Sequence, residues 1–168
     1  MTSPQEKSTR HHFGKLHRRG KTAWLLGLAG LLPFGLSLGL AFWGPTVWQV
    51  SAVYGFLYYG AVILSFLGGV HWGAVIQRAD HPRHPGEIRR LLMAMVPSLI
   101  AWPALMFSPV IGVWAIMIGF VLVWAYDLSR EGRLGFPGWY LLLRSVLTVA
   151  VVLAHLGMII RLGASAWS

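Results

Sequence analysis

Cysteine is missing from all 168 positions, and acids are scarce, with five Asp and Glu against fourteen Lys and Arg. The first absence removes thiolate catalysis, thiolate zinc or iron–sulfur sites and covalent haem attachment. The second leaves little for acid–base chemistry, and all the carboxylates are expected outside the apolar segments. The patterns G-x-x-x-x-G-K-[ST], G-x-S-x-G and H-E-x-x-H are absent too, so the chain reads as a non-enzyme. Beyond the first 21 or so residues there is no long polar stretch, which leaves no room for a second, water-soluble domain.

What fills the space is hydrocarbon. The sequence is 56% hydrophobic with nine tryptophans, well outside the range of soluble globular domains. Five apolar runs, at about 24–43, 50–76, 91–107, 110–126 and 138–160, predict an all-α integral membrane bundle of five transmembrane helices. A helix of ~20 residues rises ~30 Å, the thickness of the hydrocarbon core. The organisation is then a basic, disordered or surface-lying tail over residues 1–21 and a transmembrane domain over 22–168, with no recognisable signal-peptide cleavage site.

The formal charge of +9 concerns lipid rather than nucleic acid, because the basic residues lie between apolar spans. Six Lys and Arg fall in the tail, four in the 77–90 loop and two in the 127–137 loop, against none in the opposing turns. That bias predicts a cytoplasmic N-terminus and a C-terminus on the other side of the membrane. Trp24, Trp72, Trp124 and Trp139 fall near the inner ends of the spans, and Trp43, Trp48, Trp102 and Trp114 near the outer ends. The expected location is a bacterial inner membrane, or the mitochondrial inner membrane in a eukaryote.

Small residues predict how the helices meet. Ala61, Ser65, Gly69 and Gly73 recur every four positions and would line one close-packed face of the second span. A stripe of Gly27, Gly35 and Gly39 on the first span is the expected partner, and Pro33 within that span should kink it unless a neighbour compensates. His71 would then look away from the glycine face, about 200° round the helix from Gly69. An ionisable side chain there faces the bundle or a water-filled cavity. The simplest reading is a neutral imidazole hydrogen-bonded to a neighbouring helix, and the sharper ones are a proton relay, a haem or metal ligand, or a quinone contact.

Arg144 lies about six residues inside the fifth span, where it is expected to snorkel to the headgroups, with an ion pair to Asp127 as the alternative. His71, Trp72, Asp127 and Arg144 all lie toward one membrane face and form the candidate functional cluster. Asp80, His81, His84 and Glu87 are read as a solvated loop rather than a metal site, because Pro82 and Pro85 prevent presentation on one helix.

LLGLAGLLPF (25–34), YYGAVILSFLGGVHWG (58–73) and WYLLLRSVLT (139–148) resemble the signature segments of small membrane proteins grouped as domain of unknown function 3429. Eukaryotic members of that family are called transmembrane protein 69-like and are associated with mitochondria. The resemblance implies a membrane location and five or so helices, and it assigns no activity to any residue. Small size, short loops and glycine-rich faces make a non-catalytic accessory or assembly protein of a larger membrane complex the expected function, bound to other membrane proteins or to itself. A proton-coupled transporter or channel using His71 and Arg144 is the alternative, and haem or quinone binding at His71 is a further one. No cofactor is predicted outright.

Overall fold

The computed structural model describes residues 20–77, 86–129, 132–133 and 136–165. Most of the basic tail and the Asp80, His81 and His84 group lie outside these described residues. The described chain is helical throughout, in five elements: α1 (Gly20–Trp43), α2 (Thr46–Ile76), α3 (Glu87–Ala104), α4 (Pro109–Leu128) and α5 (Gly138–Ser165). Helices α1, α2, α4 and α5 are long and apolar enough to cross a membrane. The shorter α3 is not, because its first turn carries Glu87, Arg89 and Arg90.

Each helix packs on the next in sequence, α5 closes back on α1, and α2 also reaches α4 across the bundle. The buried positions show the spacing that one helical stripe requires, such as Phe56, Gly60, Leu64, Gly68 and His71 on α2 and Gly112, Ile116, Phe120, Val123 and Asp127 on α4. Phe34, Phe56 and Phe120 meet edge to face at the centre, around His155.

The close-packed face of α2 lies one position away from the expected one. Gly68, not Gly69, is the residue on which another backbone rests: a Cβ there would run into the Ala94 carbonyl of α3 and stand 3.3 Å from Pro97 Cγ. Gly69 and Gly73 have nothing within 4 Å of a Cβ, and the same holds for Gly35 and Gly39 on α1. Ala61 is buried, Ser65 is half-buried, and Gly27 packs against Leu147 of α5 rather than against α2. The four-residue repeat misled because it ignored the larger residues between: Leu57, Gly60, Leu64, Gly68 and His71 follow the 3.6-residue period better. His71 therefore lies on the packed face instead of opposite it.

The break in α1 carries its own compensation. Helical bonding lapses at Gly30 and Leu31, two residues before Pro33, whose missing N–H leaves a carbonyl unpaired one turn earlier. The Tyr59 hydroxyl from α2 donates to the Gly30 carbonyl at 2.8 Å. A neighbouring helix thus satisfies a carbonyl at the break, next to the Ala29 carbonyl that Pro33 leaves without a helical donor, as membrane burial demands.

Two substitutions separate the packed face from the outward one. Gly68→Leu is expected to destabilise the protein by about 1–3 kcal/mol or prevent folding, by forcing α3 off α2. Gly69→Leu is expected to stay within about 0.5 kcal/mol of the parent. Unfolding of both variants in lipid or mild detergent checks the pair, and equal losses would refute the register described here.

Candidate functional site

Asp127 is the penultimate residue of α4, where the partial negative charge of a helix C-terminus opposes a carboxylate. Two other helices supply what its own helix does not. His71 Nε2, from α2, lies 2.6 Å from Asp127 Oδ1, and Arg144 Nε, from α5, donates to Asp127 Oδ2 at 2.8 Å. Because Oδ1 is a carboxylate acceptor, the Nε2–H tautomer of His71 is the one that fits. His71, Asp127 and Arg144 are only 3%, 2% and 5% exposed, so one carboxylate clamps three helices out of reach of water.

The fourth candidate stands elsewhere. Trp72 is 43% exposed on the outer surface of α2, about 100° round the helix from the inward-facing His71. Asp127 needs a correction of another kind: it was expected just beyond its span, but α4 continues through it and folds it into the bundle, so an acid does lie inside. Arg144 does not snorkel; it makes the ion pair. The cause is the same for both, since a guanidinium in hydrocarbon is stabilised far better by a carboxylate than by a stretched path to water.

Several contributors escaped the sequence reading. Thr148, buried one turn beyond Arg144, accepts from Arg144 Nη1 at 2.9 Å and donates to the Arg144 carbonyl at 2.8 Å. Its i, i+4 spacing from Arg144 was the available signal. Phe136, in the connection before α5, and Tyr126 meet the His71 ring edge-on at centroid distances of 5.6 and 5.2 Å. Arg90 of α3, counted in the sequence only as loop charge, is buried with its guanidinium 5.7 Å from the centre of the Phe136 ring. Nothing in the sequence singled out Phe136.

His155 belongs to a different environment. Its Nδ1–H donates to the Val151 carbonyl at 2.8 Å within α5, and the ring is enclosed by Phe34, Phe56 and Phe120. Nearer the other end of the bundle, Arg161 donates to the Ala41 carbonyl and the Gln49 side chain, both at 2.7 Å, and ties α5 to α1 and α2. Among the described residues there is no group of three His, Asp or Glu able to hold a metal.

The arrangement orients, neutralises and fixes: Arg144 and Asp127 cancel, and His71 is held by the oxygen that Arg144 leaves over. Asp127→Ala would strand the guanidinium in a dry interior and is expected to cost about 3–5 kcal/mol. Replacing the three together, by His71→Phe, Asp127→Leu and Arg144→Met, is expected to recover most of that loss. Denaturant unfolding in lipid decides, and a single-site loss below about 1 kcal/mol would mean that the clamp does not hold the helices together.

Residues 20–160 match the model of the family described as "Protein of unknown function (DUF3429)". "Transmembrane protein 69" of Xenopus tropicalis is 37% identical over 143 residues, which are 84% of this chain and 54% of the relative. The Mus musculus protein of the same name is 31% identical over 136 residues, 80% of this chain and again 54% of the relative. The chain thus spans about half the length of these curated relatives. No solved structure matches it. A multi-pass arrangement of apolar helices, a family match over nearly the whole described length and relatives named as transmembrane proteins lead to one statement: the chain belongs to the DUF3429 family of membrane proteins.

Proposed function

We propose that this protein is a non-catalytic accessory or assembly component of a larger membrane complex. The observation that carries the reading is the contrast between its two sets of glycines. Gly60, Gly68, Gly112, Gly119 and Gly157 are each met by a neighbouring helix of the same chain, whereas Gly35, Gly39, Gly69 and Gly73 are met by nothing. Small residues are what allow membrane helices to approach closely. Four of them left open on adjacent helices support contact with a further transmembrane segment, from another protein or from a second copy.

The buried polar groups support the same reading over transport. His71, Asp127, Arg144 and Thr148 bond to one another near one end of the bundle, and Arg161 and Gln49 bond near the other. Between them the interior is Phe34, Phe56, Leu64, Ile116 and Phe120, with His155 enclosed by the rings. Among the described residues, such a core offers no continuous chain of polar groups along which an ion or proton could pass. Haem binding at His71 draws no support from the cavity beside the ring, which at about 220 Å³ falls below the range of small-molecule sites.

The proposal extends to orientation and residence: the basic tail and the 77–90 and 127–137 loops on the cytoplasmic side, in a bacterial inner membrane or the mitochondrial inner membrane. Protease accessibility of each terminus tests the orientation. The function itself is tested by purification in mild detergent from the native membrane at natural expression level, with mass spectrometry of what co-migrates. A stoichiometric membrane partner, or a second copy, that is lost on Gly69→Leu while the fold survives is the expected result. A parent protein that migrates as a lone monomer, or whose associations ignore Gly69→Leu, would overturn the reading.

A further inference from the structure

Beside the clamp, and on the opposite side of it from the small cavity at His71, lies a larger cleft of about 440 Å³. Its walls come from α1, α2, α4 and α5 and are hydrocarbon and aromatic, including Phe34, Leu67, Phe120 and Leu147, with Arg144 and Tyr140 also lining it. Leu26 of α1 and Phe66 of α2 line the cleft and are 69% and 65% exposed, so its mouth opens between these helices toward the lipid. The volume falls within the range of small-molecule sites, roughly 300–1,000 Å³.

The guanidinium is incompletely used. Arg144 Nε donates to Asp127 and Nη1 to Thr148, but Nη2 is buried with no acceptor. A charged donor left without an acceptor in a dry interior is unfavourable, and the open space that Arg144 itself lines is where an acceptor would come from. Water is a poor candidate, because an ordered water needs two to four polar partners and these walls offer few.

Charge decides what kind of acceptor fits. Asp127, 2.8 Å away, already neutralises Arg144, so a carboxylate or phosphate entering the cleft would bring an uncompensated negative charge into hydrocarbon. A neutral oxygen brings none. Phe34, Phe66, Phe120 and Tyr140 line the cleft with rings, which suits a flat head group more than an acyl chain. We infer that the cleft beside Arg144 binds a neutral, lipid-soluble carbonyl compound of quinone type, with the ring between the aromatic walls, one carbonyl oxygen accepting from Arg144 Nη2 after a small shift of the guanidinium toward the cleft, and the tail leaving between α1 and α2.

The inference does not depend on the accessory role, and its test reads binding alone. The full-length protein, in phosphatidylcholine nanodiscs, is unfolded thermally with decylubiquinone, with decylbenzene as a lipophile lacking the acceptor, and with oleate as its anionic counterpart. Decylubiquinone is expected to raise the unfolding temperature in a saturable way, with neither of the others doing so. Val70→Phe places a ring into the cleft from α2 without touching the clamp, and is expected to weaken the quinone at least about tenfold, equivalent to about 1.4 kcal/mol. Arg144→Lys, which can still pair with Asp127 but has no Nη2, is expected to remove the difference between decylubiquinone and decylbenzene. Equal stabilisation by decylbenzene would show a cleft that takes hydrocarbon only, preference for oleate would show an anion site, and an unchanged response in Val70→Phe would place binding elsewhere. Each of these results, like no stabilisation by any of the three, overturns the assignment.

Discussion

One carboxylate decides how this bundle can be arranged. Asp127 has two oxygens, and each accepts from a different helix. In a medium that cannot solvate charge, neither Asp127 nor Arg144 is tolerable without the other. Their pairing fixes the rotation of α4 against α5, and the second oxygen then fixes α2 through His71. Apolar surfaces give no such instruction inside a membrane, since a leucine gains little by turning from lipid toward a neighbouring helix. The clamp supplies a register that hydrophobicity could not.

Shape completes what the clamp begins. On α4, a Cβ at Gly119 would stand 2.5 Å from Leu64 Cδ2, and one at Gly112 would stand 2.8 Å from the Ala104 carbonyl. These contacts set α4 against α2 and α3 at the separation that lets Asp127 Oδ1 reach His71. Packing and electrostatics therefore act on the same variable, the rotation of each helix about its axis. Tyr59 plays the corresponding part for α1, where its hydroxyl takes up the Gly30 carbonyl beside the proline break.

Much of the architecture was legible because it follows from one-dimensional signals. Helix existence and the approximate ends were written in hydropathy. That His71, Asp127 and Arg144 lie toward one end of the bundle was readable from their positions within the spans. Which way each side chain faced was harder. Gly68 and Gly69 differ by one residue, yet that step turns a side chain by about 100°, and a strict four-residue repeat drifts away from the true face. The burial of Asp127 was hidden for a related reason: a charge at the end of an apolar run looks like the start of a loop, and only the arrival of Arg144 from another helix makes continuation of α4 possible. Arg90 and Phe136 meet across segments far apart in sequence, a juxtaposition that no local pattern encodes.

Helix α5 holds the bundle at two places: through Arg144 it closes the clamp on α4 and α2, and through Arg161 it bonds to Ala41 of α1 and Gln49 of α2. Both ties run backward along the chain to segments synthesised earlier. While the first four helices are being delivered to the bilayer, Asp127 has only His71 to accept from, and its counter-charge has not yet been made. The growing protein thus holds an acid without its guanidinium partner in its fourth helix until the fifth emerges. When the fifth helix arrives it brings the guanidinium to Asp127 and ties the turn between α1 and α2 through Arg161, and a nascent chain stalled before that point would present an exposed polar mark to whatever surveys membrane proteins during their assembly.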